Sequence, residues 1–191
     1  HIPELHLRTE VVVVQHHSEA RKTTETAHLL VEASPSCRIV SRGMAGVVLP
    51  PDLFADATRR TWLLFPGEDA NVLDETLVSA DPRPITLVVP DGTWRQAAKA
   101  VRRDPSLQGL TQVTLPDLGP SRYLLREAPR SGQLATLEAI GRALGIIEGS
   151  EVREALEALL EVMVRRTLKM RGQQARSGRY AAHATSAASR T

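Results

Sequence analysis

A chain of 191 residues, 42% of them hydrophobic, is long enough for one domain with a real core, although only 3% are aromatic. No run of about 18 apolar residues is present to cross a bilayer, and no N-terminal signal pattern is visible. The single cysteine, Cys37, excludes a disulfide framework and any zinc site built on several thiolates, so a reducing, cytoplasmic setting is expected. The net charge of +2 is unevenly placed: from Arg165 onward there are seven Arg or Lys and no acid, which leaves 17 basic and 22 acidic groups in the body, a net of −5.

The β-branched run EVVVVQ (10–15) predicts a buried strand. A helix is expected within 19–33, with Ala20, Ala27, Leu30 and Val31 sharing a face. The sequence SPS breaks it, and CRIV (37–40) predicts a second strand. RGMAG and PPD are loop signals, after which Asp52 is placed to cap a short helix running through Arg59. TWLLF (61–65), ITLVV (85–89) and the weaker TQVTL (111–115) predict three more strands, the first two stopped by PGEDA and PDG. Strands alternating with helices imply an α/β fold, a mostly parallel sheet with helices on both faces.

The clearest helix comes last, from Ser150 to Gly172, with Val152, Leu156, Leu159, Leu160 and Met163 on one stripe. Glu151 and Glu154 sit at its positive end, Arg166 and Lys169 at its negative end. Residues 173–191, rich in Ala, Ser and Arg, read as a basic disordered tail after a single domain over 1–172.

In VVPDGTWRQAAKAVRR a strand ends at Val89, since Pro90 removes a ladder donor, and a helix starts near Trp94. Thr93 and Gln96 match a capping box. Trp94, Ala97, Ala98 and Val101 follow the spacing of a face turned to the sheet, with Arg95, Lys99, Arg102 and Arg103 mostly opposite. Thr93 thus reads as a cap or a catalyst, and Trp94 as an anchor or a stacking platform. Asp91 lies where open α/β sheets place ligands, at the carboxyl end of a strand and just before a helix that favours its ionised form. It reads either as a turn-forming acid or as a proton acceptor.

DGTW before a helix, preceded by QHHSEARKTTETAHLL and LLFPGEDA and followed by GPSRYLLREAPRSGQLATLEAIGRAL, resembles the DTW-domain proteins from about Thr9 to Gly172. Four blocks in the family's order carry the resemblance. It implies a SPOUT-like fold whose C-terminal part is threaded into a trefoil knot. It implies tRNA-uridine aminocarboxypropyl transfer, in which the 3-amino-3-carboxypropyl group of S-adenosylmethionine moves to uridine N3 and methylthioadenosine leaves. No metal is needed, because the sulfonium already makes a good leaving group.

The resemblance places Asp91, Thr93 and Trp94 in the catalytic turn, with Asp91 as the base for the N3 proton or as an orienting group. It places the cofactor on three turns. These contribute Phe65, Pro66, Gly67 and Glu68; then Pro90 with Asp91; then Gln133, Leu134, Ala135 and Thr136, ahead of a helix whose buried stripe is Leu137, Ile140 and Leu144. The RNA surface is expected from His16 and Glu19, from Arg21 and Lys22, from Arg95 and Lys99, and from Arg122, Tyr123 and Arg126, with Tyr123 stacking on an unpaired base. The basic tail would add non-specific tRNA affinity. His16 and His17 do not form a metal pair, because adjacent side chains point apart on an extended chain. His17 stands where the family commonly has Pro, and Pro90 where an aliphatic residue is usual. The cysteine-rich zinc segment that many members carry ahead of the first strand is not among residues 1–9.

A monomer is expected rather than a homodimer, since no exposed apolar helix face demands a partner. Two rival readings remain: rRNA aminocarboxypropyl transfer or RNA methylation on the same fold, and a non-enzymatic RNA-binding module.

Overall fold

Val11, Val12, Val13 and Val14 are all fully buried. Successive residues of a strand face opposite sides, so four buried in a row require cover on both faces of the sheet. The computed structural model describes residues 2–20, 26–117 and 134–170, and it provides that cover. In chain order the elements are β1 (Glu10–His16), α1 (Ala27–Ala33), β2 (Cys37–Arg42), β3 (Arg60–Leu64), β4 (Asn71–Val72), α2 (Glu75–Ser79), β5 (Ile85–Asp91), α3 (Trp94–Arg103), β6 (Thr111–Thr114), α4 (Thr136–Ile147) and α5 (Ser150–Met170). The strands form one sheet in the order β2-β1-β5-β3-β6-β4, and every described pairing is parallel.

Two apolar layers hold the sheet. On one face Val11, Val13, Leu87 and Val89 pack with Leu30 of α1, Ile140 and Leu144 of α4, and Leu156 and Leu160 of α5. On the other face Val12, Val14, Leu63 and Val88 meet Ala100 of α3 together with Leu49, Phe54 and Leu107. Each fully buried aliphatic side chain contributes about 1.5–3 kcal/mol of transfer free energy. The amino edge is fastened by Glu148, just after α4, whose Oε1 accepts from the Thr9 backbone N–H at 2.6 Å. At the start of β3 the Arg60 guanidinium lies 4.9 Å from the centre of the Trp62 ring and donates to the carbonyls of Leu77, Val78 and Arg83.

Several expectations need correction. β5 does not stop at Val89 but runs through Pro90 to Asp91, with Pro90 opposite Val14. Its pairing with β3 has already ended at Val88, so the ladder there needs fewer donors and tolerates a proline. No helix follows Asp52. Pro50 accepts from Leu53, Asp52 from Ala55 and Asp56 from Arg59, which makes isolated turns, and the Asp56 side chain takes the Thr58 N–H instead of leaving it to a helix. α1 buries Ala27, Leu30 and Ala33, while Val31 and Ala20 are exposed. β4 and α2 are additions to the predicted elements. α2 is capped by Asp74, whose side chain accepts from the Leu77 N–H. The expected knot depends on the connection from β6 to α4, and residues 118–133 of that connection lie outside the described residues, as do Gly172 and the tail.

Two outcomes follow from this packing. Leu87→Ala, in the centre of the sheet, lowers unfolding free energy by about 2–5 kcal/mol in a urea titration. Cys37 is buried at the start of β2, and burial pushes its thiol pKa up to about 11, partly offset by a hydrogen bond with Ser34. The unfolded chain gives up this proton near the ordinary thiol value, the folded chain only above it. Stability from this group is therefore full below about pH 9 and falls as pH rises towards 11. Urea midpoints at pH 8, 9.5 and 10.5, compared with those of Cys37→Ala, measure the difference.

Candidate functional site

In a parallel sheet the carboxyl ends of all strands lie on one edge, and the loops leaving them share that edge. Here the edge collects the turn after β1, the turn after β3, the β5–α3 turn and the start of α4. Gln15 of β1 and Asp91 of β5 are register partners and project to the face covered by α4. Gln15 is fully buried, and its Nε2 donates to Asp91 Oδ2 at 3.1 Å. The Thr136 hydroxyl, in the first residue of α4, donates to Asp91 Oδ1 at 2.5 Å. Both carboxylate oxygens are thereby fixed, and each keeps a further lone pair for an incoming donor. Asp91 itself is half-buried.

The β5–α3 turn is held by its cap. Thr93 Oγ1 accepts from the Gln96 N–H, and the Gln96 side chain accepts from the Thr93 N–H at 2.8 Å, closing the predicted capping box. The Thr93 hydroxyl also donates to Gln96 Oε1 at 2.9 Å. The Thr93 hydroxyl thus both donates and accepts within the cap. Gln96 Nε2 reaches on to Ser18 Oγ at 3.1 Å and lies 3.3 Å from His16 Nδ1. The Ser18 N–H also points at Nδ1, so that nitrogen carries the lone pair and the neutral ring holds its proton on Nε2. The Nε2 edge rests on Gly43. This residue has φ +82°, and a Cβ there would lie 2.9 Å from His16 Nε2, so glycine is required on both counts.

Trp94 does not face the sheet as its spacing suggests. α3 buries Ala97 and Ala100, whereas Trp94 is 48% exposed. As the first residue of the helix it sits at the rim, where the sheet beneath has ended. Its ring stacks instead on Phe65, with centroids 4.8 Å apart and planes at 23°. Phe65 is tied to β6 through its N–H to the Val113 carbonyl and its carbonyl to Gln112 Nε2 at 2.7 Å. The Gln112 side chain passes so close to Gly67 that a Cβ there would meet it at 2.6 Å.

The three turns named from the sequence therefore meet. Phe65 stacks on Trp94, and Asp91 receives Thr136. Pro66, Gly67 and Glu68 are exposed on the first turn, Pro90 lies within β5, and Leu134 and Ala135 are half-buried on the approach to α4. Leu137, Ile140 and Leu144 form the buried stripe of α4, as their spacing suggests. Arg95 and Lys99 are exposed on α3. Glu19 is 3% exposed, and its backbone N–H closes a turn on the His16 carbonyl. Arg21, Lys22, Arg122, Tyr123, Arg126 and Gln133 lie outside the described residues.

Gln15 and Gln112 were not singled out from the sequence. For Gln15 the signal was present, a buried polar residue ending an otherwise aliphatic strand. Two clefts, of 280 and 170 Å³, open at the opposite, amino edge of the sheet. In the first, Arg38 and Arg59 are drawn to Glu10, at 2.9 and 3.9 Å, which gives them a structural task. Among the described residues no three His, Cys, Asp or Glu come together to hold a metal, and no helix is long and apolar enough to cross a membrane.

The model of the DTW domain matches residues 1–168. A Drosophila melanogaster protein named tRNA-uridine aminocarboxypropyltransferase 2 is 35% identical over 164 residues, covering 82% of this chain and 63% of its own. A Macaca fascicularis protein of the same name is 29% identical, covering 83% and 55%. The Arabidopsis thaliana tRNA-uridine aminocarboxypropyltransferase A is 26% identical, covering 82% and 70%. The chain thus spans less than two thirds of the length of the first two relatives. No solved structure matches it.

Loss of the cap isolates its contribution. Thr93→Ala lowers unfolding free energy by about 1 kcal/mol in a urea titration, and Thr93→Ser recovers most of it.

Proposed function

The chain belongs to the DTW domain family, and from that premise we propose that it transfers the 3-amino-3-carboxypropyl group of S-adenosylmethionine to N3 of a tRNA uridine. The names carried by the fly, macaque and Arabidopsis relatives support the reaction class. The observation that carries the reading is the Asp91 carboxylate, held between Gln15 and Thr136 at the edge where three turns meet.

The residues at that edge suit a nucleoside donor. On the α4 side of the edge, half-buried Leu134 and Ala135 offer backbone peptide groups to an adenine edge. When bound, S-adenosylmethionine supplies a γ-methylene made electrophilic by the sulfonium, with methylthioadenosine as the leaving group.

Uracil N3 carries a proton at neutral pH and attacks poorly until the proton is lost. Asp91 takes that proton as N3 closes on the carbon. An ionised carboxylate only accepts hydrogen bonds, so two donors already in place orient it without occupying every lone pair. Gln15, buried in the sheet, sets the height of the carboxylate above the edge, and Thr136 ties it to α4. Correct placement of the γ-carbon, rather than the methyl, against N3 is a task of position more than of acid strength.

The reading includes a SPOUT-like fold with a C-terminal trefoil knot, supported by the all-parallel pairing and by the return of the chain at Thr136 to the end of β5. It also takes the protein as a monomer in a reducing, cytoplasmic setting, for which the single buried thiol is the support.

Asp91→Ala and Asp91→Asn lower transfer by about 10²–10⁴-fold while circular dichroism stays that of the parent. The assay is unmodified tRNA incubated with labelled S-adenosylmethionine, followed by nucleoside mass spectrometry. Near-normal turnover in either variant removes Asp91 as the base, and a methyl adduct in place of aminocarboxypropyl removes the reaction.

A further inference from the structure

Asp91 and Thr136 lie on the face of the sheet covered by α4. α3, Phe65 and Trp94 lie on the opposite face. The two faces meet only at the turn 91–94, so the carboxyl edge has two sides of different chemistry.

The α3 side is cationic and aromatic. The helix WRQAAKAVRR contains four cations and no acid. Arg95, Lys99 and Arg102 recur at four and three residues, and Arg103 follows Lys99 by four, so the charges share one flank over about 12 Å. All four are exposed, and none has an ion-pair partner among the described residues. Two of the three arginines of α5 behave differently: Arg153 pairs with Glu157 at 2.7 Å and Arg165 with Glu161 at 2.5 Å. The acid nearest in sequence to the α3 flank, Asp104, is taken by Arg42 at 3.1 Å. At the head of this flank stands Trp94. Phe65 covers one face of its indole, yet the side chain is still 48% exposed, whereas Trp62 is 4% exposed.

We propose that this side is the RNA-docking surface: an unpaired nucleotide of the substrate stacks on the Trp94–Phe65 pair while its backbone runs along Arg95, Lys99, Arg102 and Arg103. The assignment deepens the proposed transfer and rests on it for the identity of the RNA. Cations neutralise phosphates without regard to sequence, and an aromatic face held rigidly beside them receives a splayed-out base. An acidic protein surface would use the cations but leave the indole without a partner. The geometry also divides the work, since a base on Trp94 stands three residues from Asp91 while the nucleoside donor approaches from the α4 side.

Fluorescence reads the contact directly, because Trp62→Phe leaves Trp94 as the sole indole. Its emission is expected to be quenched by unmodified tRNA and by oligouridylate. If that variant folds poorly, the parent compared with Trp94→Leu gives the same difference. In the triple variant Lys99→Gln, Arg102→Gln, Arg103→Gln, the slope of log affinity for tRNA against log salt shrinks by about 2, while calorimetric binding of S-adenosylmethionine is unchanged.

An unchanged salt slope overturns the assignment. So does quenching by methylthioadenosine without RNA, which would make the aromatic pair an adenine wall, and so does equal quenching by polyglutamate. The test is separable from that of the reaction. Quenching by tRNA with no transferred product sinks the reaction and keeps the surface; product formed with an unchanged slope does the reverse.

Discussion

A carboxylate at the open edge of a parallel sheet is useful only if it is prevented from swinging. Here Asp91 is held by two neutral donors, the Gln15 amide from the adjacent strand and the Thr136 hydroxyl from a helix 45 residues further along the chain. Neither partner brings a charge that would quench the acid by pairing with it, as an arginine would. The arrangement leaves an anion oriented, partly exposed and still able to accept. Most other features of the edge adjust the approach to this group.

The sheet provides the rigidity. Its two apolar layers clamp β1 and β5 from both sides, so the relative height of Gln15 and Asp91 is set by backbone register and not by loop conformation. The capping box then fixes the first turn of α3, and Gln96 extends the same network to Ser18 and His16 on the neighbouring strand end. Each of these polar groups has a partner close at hand. The edge therefore carries its hydrogen bonds internally and offers ligands a preformed surface.

The framework was legible from local patterns. β1 was readable as aliphatic and β-branched, the start of α3 from Thr93 and Gln96, and the α4 stripe from the spacing of Leu137, Ile140 and Leu144. The misread places are those where a neighbour in space decides. The spacing of Trp94 matches a buried face, but the sheet has ended beneath it, and only the position of Phe65, from another strand, explains the exposed ring. Pro90 argued for the end of β5, yet β3 had already withdrawn from that flank. β4, two residues long, has no periodicity to detect. Asp91 was identifiable as a candidate from its position after a strand and from the family's motif. Its two partners lie 76 and 45 residues away and become visible only when the chain folds.

Arg60 has a consequence for the flank beyond β3. α2 is five residues long, too short to persist on its own hydrogen bonds. Its last carbonyls, at Leu77 and Val78, are received by the guanidinium of the first residue of β3, which also lies against the Trp62 ring. A strand residue thus serves as the end-stop of a helix that follows it in the chain. Fraying of β3 would melt α2 in the same event, so amide protons in the two segments exchange as one cooperative unit despite their separation in sequence.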